Sequence, residues 1–164
     1  MNTQGSTKAT NMDTLGDEFF MSADDLRKYM MEMKMAHVSQ ELNAMTKADE
    51  ARRELIRSLQ EHVDVTPEKI AELKQRLQGM IRRAAANGET ETMVMRFPNA
   101  LCTDGGRAIN NTEPDWPKTL TGRPRQAYEF WKEHLQPAKY TLKAMIIEFP
   151  GGFPGDVGFF LSWS

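Results

Sequence analysis

Cysteine is nearly absent from this chain: Cys102 is the only one in 164 residues. A lone thiol excludes an intramolecular disulfide framework. With three histidines far apart in sequence, it also excludes a cysteine-based zinc site, which needs several ligands. No run approaches the roughly 20 apolar residues that cross a bilayer, and the polar N-terminal stretch lacks the apolar segment of a signal peptide. The chain therefore reads as cytoplasmic, with no membrane contact. An excess of one charge is missing too: the formal net charge is -2, split as 13 basic against 15 acidic residues up to Thr90 and 8 against 8 beyond it. Neither part has the basic surplus that draws a protein to nucleic acid or to an anionic membrane.

Other scarcities are confined to one side of Gly88. Only one of the eight prolines and three of the fourteen aromatic residues precede Glu91, whereas nine of the twelve methionines do. This contrast predicts an α+β protein with an N-terminal long helical hairpin followed by a small β-α-β-β unit that ends in an antiparallel hairpin. Three segments follow from it: a flexible tail over 1–21, a helical hairpin over 22–88 for oligomerisation or partner binding, and an aromatic-rich α+β unit over 91–164.

Within the first part, Ser22 with Asp25 three residues on resembles a capping box. No proline or glycine interrupts the chain from Met21 to Thr66, so one helix can run to about His62. Thr66-Pro67-Glu68 signals a second helix start and Asn87-Gly88 its stop. Between them Ile70, Leu73, Leu77, Met80 and Ala84 alternate spacings of three and four. That stripe, and a comparable one of Ala44, Ala48, Ala51, Leu55 and Leu59, predicts helix-on-helix packing in an antiparallel hairpin.

Beyond Gly88 the period shortens to two. Thr92–Phe97, Tyr140–Phe149 and Val157–Trp163 read as strands, the last two joined by the turn Pro150–Asp156, and Arg125–Leu135 reads as a helix. Residues 99–120 read as a long irregular loop, and the stretch 99–125 as the place for a functional surface. Trp116, within it, reads as a packing residue, and Phe153 as the exposed tip of the Pro150–Asp156 turn.

Candidate chemistry is sparse. Met30, Met31, Met33 and Met35 precede His37, a donor set suited to Cu(I), but residues two apart on a helix do not share a face, so no metal site and no cofactor is expected. The same methionines suit an adaptable contact surface. Cys102 is the candidate nucleophile, with Arg107 or His134 as a source of activation. Arg123 and Arg125 open a helix, where free N–H groups favour an anion, and Arg107 joins them as a phosphate- or carboxylate-binding set. Glu129 and Glu133 share a helix face without a paired-carboxylate signature.

The resulting expectation is a non-enzymatic interaction or regulatory protein that self-associates as a homodimer, or binds a protein partner, through Met30, Met33, Ile70, Leu73 and Leu77. The alternative is a sensor or binding protein for a small anionic ligand held by Arg107, Arg123 and Arg125. An enzyme using Cys102 comes third.

Overall fold

Both helix starts read from the sequence are where the backbone becomes helical in the computed structural model, which describes residues 20–164. The expected tail falls on 1–19, outside the described residues, except for Phe20 and Met21. Helix α1 spans Ala23–Gln60, with Asp24 and Asp25 in its first turn, where the dipole favours acid. The Asp25 N–H donates to Ser22 Oγ at 3.1 Å. Helix α2 spans Pro67–Ala86, and its Lys69 N–H donates to the Thr66 hydroxyl at 3.2 Å. Its end is a left-handed glycine cap: Gly88 has φ +80, and the N–H groups of Gly88 and Glu89 reach back to the carbonyls of Ala85 and Ala84, each at 3.0 Å.

Three strands follow, β1 (Glu91–Phe97), β2 (Thr141–Ile146) and β3 (Val157–Ser162), in the antiparallel order β1-β3-β2. The alternation of side chains about Phe97↔Val157 and Leu142↔Leu161 places Phe97, Val157, Phe159, Leu161 and Leu142 on one face. All five are buried, and the rings of Phe97 and Phe159 meet edge to face at 4.9 Å. Between β1 and β2 the chain forms the short helix α3 (Arg107–Asn110) and then α4 (Gly122–Phe130), which runs into a π-helical turn over Trp131–Leu135. The architecture is thus α+β, with the long helices first and the antiparallel β2–β3 hairpin last.

Two expectations are corrected by the packing. The α2 stripe does not serve a helix-on-helix seam: α2 packs on β1, with Leu77 and Ala84 buried and Leu73 and Met80 against the same core. An apolar stripe fixes which face is buried but not what buries it, and here it is buried against β1 and the core on that face of the sheet. Residues 99–120 are no loose loop either. Leu101, Cys102, Ala108, Ile109 and Leu120 are all buried in the core. The segment is pinned by a bridge between Cys102 and Leu120, and the Thr103 N–H donates to the Thr119 carbonyl at 2.8 Å. It is the cover of the sheet, and Trp116 joins it there with its ring 5.9 Å from Phe159.

The described residues divide into two units, the first ending at Ala51 and the second spanning Arg52–Ser164. In the second, Ile56 and Leu59 from the last turns of α1 pack against the core. Gln126 of α4 ties down the connection to α2: its Nε2 donates to the Val63 carbonyl at 2.9 Å and its Oε1 accepts the Val63 N–H at 3.2 Å. Gly122, at φ +57, lies so close to the backbone of Leu59 and Gln60 that a Cβ there would stand 2.9 Å from the Gln60 Cα and closer still to the Leu59 carbonyl oxygen. Among the described residues no helix is long and apolar enough to cross a membrane.

Candidate functional site

The three arginines of the expected anion set do not line one cleft. Arg107 is exposed on α3, whose N-terminal N–H groups are already taken: Asp104 accepts from Gly106 at 3.0 Å and from Ala108 at 2.8 Å. Arg125 faces Glu129 at 3.4 Å and borders an open hollow with Lys118, Lys132, Asp115 and Glu129, which Arg107 and Arg123 do not line. The start of α4, where an anion was expected to sit, is covered by the Leu59–Gln60 backbone against Gly122. Arg123 Nε is buried without a hydrogen-bond partner. Such a helix terminus has lost the approach that makes it attractive to phosphate.

Cys102 is buried, and its surroundings oppose ionisation. Burial pushes the thiol up to about 11, the nearby Asp104 charge pushes the same way, and a hydrogen bond with Thr119 offsets part of this. A nucleophilic cysteine needs the reverse, a positive neighbour and partial exposure. Two outcomes follow. At pH 8 iodoacetamide will alkylate folded Cys102 at least about a hundredfold more slowly than the urea-unfolded chain, because almost no thiolate is present in the fold. The raised value also makes stability fall as pH rises from about 9 to about 11, since the unfolded thiol ionises first; urea titrations across that window will show a loss of about 2 kcal/mol.

Several other charged groups pair with one another. His134 Nε2 lies 3.8 Å from Glu133, and its ring packs on Phe130 with centroids 4.8 Å apart. Arg96 bridges Asp156 at 2.9 Å and Glu148 at 3.1 Å, and Arg52 Nη1 lies 3.8 Å from Asp156. Asn99 Nδ2 donates to the Pro154 carbonyl at 2.8 Å, so this network fastens the Pro150–Asp156 turn to the sheet. Phe153 stands exposed at that turn's tip. Among the described residues no three His, Cys, Asp or Glu side chains gather as metal ligands.

What stands out is the first unit. Not one residue of α1 is buried, yet nine large apolar side chains lie on it between Leu26 and Met45, all about half exposed or more. At 3.6 residues per turn they fall on two faces. Leu26, Tyr29, Met30 and Met33 make the shorter one. Met31, Met35, Val38, Leu42 and Met45 make the longer one, and their spacing of 4, 3, 4 and 3 is the seam pattern of a paired helix. These five are between 51 % and 65 % exposed. His37 projects on the side of the shorter face, near Met30 and Met33, and faces Glu41 at 3.0 Å.

The expected partner-binding residues therefore separate. Met30 and Met33 are exposed on the shorter face, Ile70 and Leu73 are partly buried, and Leu77 is spent on the chain's own core, because α2 closes over β1. Proximity in sequence groups the methionines across both faces; the signal that separates the longer face is the alternating 4-3 spacing that continues through Val38 and Leu42. No family model, no curated protein and no solved structure matches this chain.

Proposed function

We propose that this is a non-enzymatic interaction protein whose first helix pairs with a second copy of the chain along Met31, Met35, Val38, Leu42 and Met45. One observation carries the reading: a four-turn apolar seam stands in water on a stretch of helix, residues 23–51, in which every residue is exposed. Helices of globular proteins draw most of their stability from packing an apolar face, and exposed contiguous apolar surface marks a contact site. Three of the five seam residues are methionines, whose flexible thioethers adapt to a facing surface. The charged and polar residues between them, such as Lys34, Ser39 and Glu41, suit the flanks of a paired seam.

Peroxide footprinting tests this on the unaltered protein. Met30, Met31, Met33, Met35 and Met45 are comparably exposed in one chain, so a lone helix oxidises all five at similar rates. Pairing along the longer face will slow oxidation of Met31, Met35 and Met45 by at least about fivefold relative to Met30 and Met33, and the difference will vanish on dilution. Equal rates at high protein concentration would refute the pairing.

A further inference from the structure

The second unit contains a cavity that none of the preceding roles uses. It has a volume of about 140 Å³ and lies between α2, the inner face of the sheet, and α4 with its π-helical turn. Every side chain lining it is apolar. Leu77, Leu142, Phe159 and Leu161 are buried in its walls, whereas Leu73, Val94, Phe130 and Leu135 are only partly covered, so the space communicates with solvent.

Three physical facts narrow what belongs there. A resident water needs two to four polar partners, and the one N–H among the lining side chains, that of Trp131, is already donated to the Tyr140 carbonyl, so water gains little by entering. A cavity of roughly 150 Å³ walled by aliphatic and aromatic side chains accepts a molecule the size of benzene. The wall is also built rather than collapsed. The helix widens into a π turn at Trp131–Leu135, a feature that recurs at functional sites, and Trp131 is held in place by its Nε1–H donating to the Tyr140 carbonyl at 3.0 Å.

We propose that this cavity is a binding site for a small uncharged apolar molecule of about six to eight heavy atoms, an aromatic ring or a short branched alkyl group. The class follows from volume and lining: a charged or strongly polar ligand would lose its hydration and find no partner. The site is independent of the pairing helix, since all of its walls come from residues beyond Arg52.

Toluene is the probe. In methyl-resolved NMR of the full chain, toluene will shift the methyl signals of Leu73, Leu77, Leu142 and Leu161 saturably, and glycerol of similar size will not. Ala127 also lines the cavity, so Ala127→Leu will fill part of it and weaken toluene binding at least tenfold. Wild-type titration stands on its own if that variant misfolds. Absence of saturable shifts at these four leucines overturns the proposal, as does a response confined to Val38 and Leu42 on the first helix. Unchanged toluene affinity in a folded Ala127→Leu variant overturns it as well.

Discussion

Replacing Val38 and Leu42 together by lysine will weaken self-association by at least about a thousandfold. Each fully buried aliphatic side chain contributes roughly 1.5–3 kcal/mol, and the double variant removes two from each copy while placing like charges across the seam. Val38 and Leu42 are already about half covered in one chain, so the four side chains lose about 3–6 kcal/mol of pairing energy. With the like charges added this reaches at least three decades, since every 1.4 kcal/mol is a factor of about ten in the dissociation constant. The matching control is Met30→Lys with Met33→Lys, which adds the same charge on the shorter face and will change association by less than about tenfold. Sedimentation velocity over a concentration series measures both. If the two double variants behave alike, the long face is not the contact and the effect is one of charge alone.

Gly122→Ala will be among the most destabilising single-methyl additions the second unit can receive. A left-handed backbone costs a non-glycine residue about 1–2 kcal/mol. The larger contribution is steric. The new Cβ would stand 2.9 Å from the Cα of Gln60 and 3.1 Å from the carbonyl carbon of Leu59, and backbone cannot step aside as a flexible side chain can. Relief requires the end of α1 to move off α4, which would break the Gln126 clamp on Val63 and uncover Leu59. A loss of about 3–5 kcal/mol is expected. Urea unfolding followed by tryptophan fluorescence reports on this unit specifically, because Trp116, Trp131 and Trp163 all lie in it. Gly88→Ala is the comparison: its φ of +80 is also left-handed, but nothing lies within 4 Å of its Cβ position, so it will cost only about 1–2 kcal/mol. Equal losses at the two glycines would show that the close approach at Gly122 carries no energetic weight.

Features set by local chemistry were legible from residues alone. Ser22, Thr66-Pro67 and Asn87-Gly88 cap helices through bonds spanning three to five residues, so the helix ends could be read directly. The β2–β3 hairpin was equally readable, because a two-residue alternation on each side of a glycine-rich turn leaves few alternatives. Features that depend on distant residues were not. The α2 stripe gave no hint that a sheet, rather than α1, would cover it. Residues 99–120 looked like a loop because their buried members, Leu101, Ile109 and Leu120, follow no period; they are core by virtue of what lies beneath them. The separation of Arg107, Arg123 and Arg125 was hidden for the same reason. A helix start with two arginines is legible at Gly122–Arg125, but the backbone of Leu59 and Gln60 that covers it is some sixty residues away. The longer face of α1 was legible in principle, since its spacing is local, and was obscured by treating neighbouring methionines as one cluster when Met30 and Met31 project about 100° apart.

Pairing of the first helix is best tested by the mass of the unaltered chain in solution. Sedimentation equilibrium from nanomolar to high micromolar concentration will show a reversible transition from the 18.7 kDa chain to twice that mass. A constant 18.7 kDa across the whole range would contradict the account, since the seam of Met31, Met35, Val38, Leu42 and Met45 would then stay in water.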